Sequence, residues 1–141
     1  MIVQTSCTIF AQNLLKGLEN FTNTSPYVYK IALYNALANL DNTTAAYTPI
    51  NEVTGTGYTA GGLILTPSYL SDDTTNNTAF VSFNNVTWSP ASFTTRGALV
   101  YNSTTGAAIF VLNFGSDKTA NNSFTVTFPA ANSTNAILRI T

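Results

Sequence analysis

Residues 123–128 read SFTVTF, and this stretch decides the fold class. Phe124, Val126 and Phe128 fall on one side of an extended chain and Thr125 and Thr127 on the other. That period of two belongs to a strand with one face in a core and the other in water. Working outward, aromatic and β-branched residues recur in short runs: YVYKIALY (27–34), GGLILTPSYL (61–70), AFVSFNNVTW (79–88), FTTRGALVYN (93–102), AAIFVLNF (107–114) and AILRIT (136–141). The turn-rich stretches 103–106 and 117–122 are short enough to join antiparallel neighbours. These runs predict a mainly β fold, an antiparallel β-sandwich of immunoglobulin-like or jelly-roll-like kind.

Ahead of the strands, TIFAQNLLKGLENF (8–21) places Phe10, Leu14, Leu18 and Phe21 on one face of an amphipathic helix. Gly17 inside such a helix costs up to about 1 kcal/mol relative to alanine, so the helix is expected to lean on a neighbouring surface. NTSP (23–26) then breaks it. The expected organisation is an N-terminal helix or arm over 1–25 and a sandwich domain over 26–141. Residues 35–53, with Asn39, Asp41 and two adjacent threonines, read as a long connection that crosses between sheets. There is no internal repeat and no linker to a second domain.

The segment NEVTGTGYTAGG (51–62) contains a literal G-x-G-x-x-A at Gly55, Gly57 and Ala60. A dinucleotide fingerprint needs a buried strand before the glycines, a helix after them and an acidic residue about 20 positions on. Here TPINEV precedes and the β-prone GGLILTP follows, so no helix N-terminus would face a pyrophosphate. The glycines are better explained by positive φ or close approach of strands. With no histidine, Ser-His-Asp and Cys-His arrangements cannot be built within one chain. The carboxylates are Glu19, Asp41, Glu52, Asp72, Asp73 and Asp117; all but Glu19 fall in predicted connections, where solvated turn carboxylates are usual. Asp72, Asp73 and Asn76 could offer oxygens to a hard cation, but lack EF-hand spacing. No catalytic residue, cofactor or metal site is expected.

Charged residues make up only 8% of the 141 positions while hydrophobic residues make up 45%, and the net charge is −1. A surface covered by Asn, Thr and Ser has little repulsion to keep copies apart, which suits a chain packed against neighbours. The 5 Lys and Arg residues are scattered, so no phosphate-tracking groove arises and nucleic-acid binding is not expected. Apolar runs fall far short of the roughly 20 residues of a membrane span. The N-terminus MIVQTSCTIFAQ lacks a basic region, so no secretory signal is read. The N-x-[ST] triplets at Asn20, Asn42, Asn85 and Asn132 are then expected to stay unmodified. Cys7, the single cysteine, reads as a small buried hydrophobe. Trp88 with the tyrosines reads either as a sugar-stacking platform or as core and interface packing, the second being favoured.

Three segments together, YKIALYNALANLDNTTAAYTPINEVTGTGYTAGG (29–62), VTWSPASFTTRGALVYN (86–102) and IFVLNFGSDKTANNSFTVTFP (109–129), resemble a set of small virion structural proteins of tailed bacteriophages. The resemblance covers roughly residues 28–130 and lies in the ordered combination of the N-E-V-x-G-x-G-Y-x-x-G-G turn, a Trp/Phe-rich strand, an R-G-A-L/V-x-Y strand and an F-G-x-D turn. It implies a compact β-sandwich on the phage particle, foremost a head decoration (cement) protein on the outer surface of the head. Its partners would be the major capsid protein and copies of itself, a trimer among the arrangements. A tail-associated adaptor, or a carbohydrate-binding module of a tail fibre or spike using Trp88, Tyr58 and Tyr69, is the alternative. No catalytic residue comes with the resemblance. As attachment elements, the helix face of Phe10, Leu14 and Leu18 and exposed loops around Tyr58 and Trp88 are singled out.

Overall fold

A computed structural model describes the backbone of residues 1–141 and every side chain but that of Tyr69, so the part of the stacking platform assigned to Tyr69 lies outside the described residues. In chain order the elements are β1 (Thr5–Ser6), α1 (Thr8–Leu15), β2 (Tyr29–Tyr34), β3 (Leu63–Ile64), β4 (Pro67–Asp73), β5 (Thr78–Phe83), β6 (Val86–Ala91), β7 (Thr94–Asn102), β8 (Ala108–Thr119), β9 (Asn122–Val126) and β10 (Leu138–Ile140). One layer is a five-stranded sheet in the order β1-β8-β7-β2-β3; the other comprises β10-β5-β4 and the pair β6-β9. Every strand pairing is antiparallel. The chain is a mainly β, antiparallel sandwich with one short helix near its N-terminus.

The core follows from the alternation of side chains. Ile31 and Leu33 of β2 and Ala98 and Val100 of β7 join Val81, Phe83, Trp88 and Val126 of the second layer in one cluster. Phe124 is half-buried, Val126 and Phe128 are buried, and Thr125 and Thr127 are exposed, as the SFTVTF pattern requires. The opposite face of the five-stranded sheet is buried too. Ala32, Tyr34, Leu99 and Tyr101 pack there against Ile2, Cys7, Ala38, Leu40 and Tyr47. β2 is therefore covered on both sides, which explains why it reads as a nearly continuous apolar run. A bulge supports this double burial. Val100 pairs with Phe110 but Tyr101 with Ala108, so Ile109 is extra, and Ile109 and Phe110 both turn into the main cluster.

Residues 35–53 do not cross between the layers as the sequence suggested. They lie over the outer face of the first sheet, where Ala38, Leu40 and Tyr47 need apolar cover, and the chain returns to pair β3 with the free edge of β2. The crossing comes later, at two adjacent residues: the Leu65 amide bonds the Tyr29 carbonyl of one layer, and the Thr66 carbonyl accepts from the Asn84 amide of the other. The predicted strand 61–70 is accordingly split into β3 and β4, and 79–88 into β5 and β6.

The helix is shorter than its hydrophobic spacing suggested. It ends at Leu15 because Gly17, at φ +70, bonds back to Leu14 while the Leu18 amide bonds Asn13 (3.1 and 2.8 Å). That paired pattern is a Schellman cap, so Gly17 terminates the helix rather than weakening its interior. Phe10 and Phe21 from this N-terminal stretch share the main cluster with strands of the 26–141 segment, and β1 is an edge strand of the first sheet.

Candidate functional site

The glycine loop leads into β3 at a sheet edge, and no helix follows it. A side chain on Gly57 (φ +84) would place its Cβ 1.8 Å from the Pro90 carbonyl oxygen, and one on Gly62 (φ +73) would lie 1.8 Å from that of Ile31. Thr56 also pairs with Ser92 through an isolated bridge, so the loop is stitched to the far layer as well as to β2. Glycine is needed here because two backbones pass too close for any side chain.

Glu52, expected to be a solvated turn carboxylate, is instead buried and held by three donors. Its Oε1 accepts from the Tyr58 hydroxyl (2.6 Å) and the Gly61 amide (2.7 Å), and its Oε2 accepts from the Tyr47 hydroxyl (2.6 Å). The Tyr58 oxygen accepts in turn from the Leu33 amide of β2 at 2.8 Å. Tyr101 donates to the Gly61 carbonyl and its ring stacks on that of Tyr47, at a centroid distance of 4.8 Å. Burial, then the hydrogen bond to Glu52, hold the Tyr58 and Tyr47 phenols well above their usual range. A carboxylate engaged by three fixed donors presents no free oxygen to a substrate, so this constellation is a clamp that fixes residues 47–61 to the sheet. Sequence reasoning missed it, although the flanking tyrosines and Gly61 were its visible signal.

The five residues singled out for attachment are not gathered on one surface. Phe10 and Trp88 are 2% exposed and belong to the main cluster, with Leu14 and Tyr58 partly buried against it. The loop around Tyr58 is exposed at 54–57 and 59–60, but the Tyr58 side chain is half-buried and Trp88 lies buried in a strand, so neither ring is presented for attachment. Trp88 lies within β6, stacked on Tyr58 and edge-on to Phe93, because its side chain follows the inward parity of Val86. The helix turns Phe10 and Leu14 inward because it packs beside β8, where the Phe10 and Phe110 rings meet edge to face. Leu18 is 44% exposed. Apolar exposure appears elsewhere, at Leu15, Leu37 and Ile50.

Glu19, Asp73 and Cys7 make contacts that tie parts of the fold together. Glu19 Oε2 accepts from the Tyr29 hydroxyl and the Asn102 side-chain amide, joining the segment after α1 to β2 and β7. Burial pushes its carboxyl above the ordinary value, and these bonds oppose that shift only in part. Asp73 caps the β4–β5 turn by accepting from Thr75, Asn76 and Ser133, which lower its pKa to about 2, the Ser133 hydroxyl contributing most. Cys7 is buried, and that burial, aided by Asp41, raises its thiol to about 11. Among the described residues no group of three or more His, Cys, Asp or Glu side chains is placed to hold a metal ion, and no helix is long and apolar enough to cross a membrane. No protein-family model, curated protein or solved structure matches the chain.

Proposed function

We propose that this chain is a non-enzymatic structural component of a tailed-bacteriophage particle, a decoration protein that seats on the outer surface of the head across joints between major capsid subunits. The observation that carries the reading is an exposed apolar end on a nearly uncharged surface. Met1, Leu37 and Ile50 are 80%, 78% and 70% exposed. They are neighbours, because the Met1 amine bonds the Ala38 carbonyl, the Asn35 amide bonds Asn51, and the Asn51 side chain bonds the Leu37 carbonyl. Large apolar side chains held up by bonded loops are suited to burial against another subunit. The resemblance of residues 28–130 to small phage virion proteins supplies the partner, and the clamp around Glu52 explains how its N-E-V-x-G-x-G-Y-x-x-G-G turn serves as a rigid scaffold.

A contact burying about 800 Å² on each partner is standard for a specific interface. With so little charge, attachment should vary little with salt. The test is rebinding of purified protein to heads stripped of it, comparing the wild type with the double variant Leu37→Asp, Ile50→Asp. The proposal expects saturable, salt-insensitive rebinding that falls at least about tenfold in the variant, with an unchanged circular dichroism spectrum. Failure of the wild type to bind heads, or binding only to tails, refutes the head assignment; equal binding by the variant refutes this face.

A further inference from the structure

The two layers do not close on each other along one side. β1 ends the five-stranded sheet and β10 ends the three-stranded one, so each has an unpaired edge; β9 pairs only with β6, and no ladder joins it to its chain neighbour β8. Three clefts of about 590, 240 and 360 Å³ run along this seam. The first and second share Gln4, Leu112 and Ile137, and the second and third share Phe114, Val126 and Thr127, so they form one continuous groove. Its floor is the uncovered rim of the main core, where Leu112, Phe114, Phe124, Ile137 and Leu138 are only partly buried.

Charge is distributed unevenly around this groove. Arg139 lines the first cleft and Lys118 the third, whereas no Asp or Glu side chain lines any of the three. Both cations are exposed and, among the described residues, neither forms a salt bridge; the Arg139 guanidinium donates to the Thr134 carbonyl. Phe110 and Lys118 lie opposite Val100 and Thr95 of β7, five strand steps apart, so the floor along β8 spans roughly 16 Å at about 3.3 Å per step. An extended chain has free backbone groups to offer the unpaired edges of β1 and β10, whereas a helix has already bonded its own.

We propose that this seam is a docking groove for an extended peptide segment of a partner chain, one that alternates apolar residues with polar ones and carries carboxylates. The segment adds as a strand beside β1 and β10, lays its apolar side chains on Leu112, Phe114 and Ile137, and meets Arg139 and Lys118 with its acidic ones. Specificity comes from the cations at the two ends and affinity from backbone pairing with apolar burial. The inference is independent of the particle assignment, since none of its residues is Met1, Leu37 or Ile50.

The test is a nuclear magnetic resonance titration of the full-length protein, labelled with nitrogen-15. The probe is a capped nine-residue peptide alternating valine with threonine and aspartate; the control carries lysine for aspartate. Saturable shifts are expected at Gln4–Ser6, Leu112–Phe114, Thr125–Thr127 and Ile137–Arg139, with the control at least about tenfold weaker. Arg139→Glu and Lys118→Glu, both at exposed positions that leave the fold intact, should each weaken the acidic peptide at least about fivefold and strengthen the lysine one. No saturable shifts at millimolar peptide, shifts centred elsewhere, or equal binding of the two peptides would overturn the proposal. So would sedimentation showing that the protein alone already fills the seam by self-association.

Discussion

Gly57 and Gly106 share almost the same backbone torsion, φ +84 and +82, but not the same surroundings. A Cβ on Gly57 would sit 1.8 Å from the Pro90 carbonyl oxygen and 2.8 Å from its carbon, whereas a Cβ on Gly106 would meet nothing within 4 Å. Alanine at either position pays a left-handed torsional cost of about 1–2 kcal/mol. Only at Gly57 must the backbones also part, by more than about 1 Å to reach ordinary contact. Pulling the loop from β6 strains the Thr56–Ser92 bridge and the Tyr58–Trp88 stack. We expect Gly57→Ala to cost at least about 2 kcal/mol more than Gly106→Ala, for a total of about 4 kcal/mol, which is reserved for named structural faults. Urea denaturation followed by tryptophan fluorescence and by circular dichroism measures the difference. At roughly 3 °C per kcal/mol for a chain of this size, thermal melts should show it too. If the two alanine variants are equally stable, close passage of the chains is not what these glycines serve.

Tyr58→Phe removes a donor to Glu52 and the acceptor of the Leu33 amide, so it should cost about 2 kcal/mol in urea, the penalty of an unsatisfied buried group; a loss below about 0.5 kcal/mol would discount the clamp. Glu19 has its folded pKa raised above 4.5, so between that value and its folded pKa the folded state holds the extra proton and stability falls as pH rises. Glu19→Gln should therefore be more stable than wild type at pH 7 and level with it near pH 4; a variant less stable at pH 7 contradicts this. Asp73 acts in the opposite sense: its lowered pKa contributes stability above about pH 4 that is lost as pH falls towards 2, a loss Asp73→Asn should abolish in acid melts. Trp88, the single tryptophan and 2% exposed, should emit in the blue and resist acrylamide quenching, and Trp88→Ala should cost about 3–5 kcal/mol; a red-shifted, freely quenched emission would place it on the surface instead.

What the sequence disclosed and what it hid follow from the range of the interactions. Alternation in SFTVTF and the apolar run YKIALY report local burial on a pleated backbone, so the fold class was legible, although the breaks within 61–70 and 79–88, where the chain changes sheet, were not. Gly17 was not legible as a cap, because periodicity continues through Leu18 and Phe21 even though Phe21 reaches the core by another route. Glu52 looked like a turn carboxylate because its partners Tyr47, Tyr58 and Gly61 meet only after the loop folds back. The inward aim of Trp88 was read correctly as packing, yet its loop was also offered for attachment, and only the β6–β9 register decides which way it points. Surface apolar residues such as Leu37 and Ile50 lie in a non-periodic connection, where no pattern separates a covered leucine from an exposed one.

The most direct measurement is a cryo-electron microscopy map of the intact particle at a resolution that traces this chain. The account predicts density for the sandwich on the outer surface of the head, with Met1, Leu37 and Ile50 turned onto joints between capsid subunits. Density in the tail alone, or a particle in which the chain is missing, would contradict it.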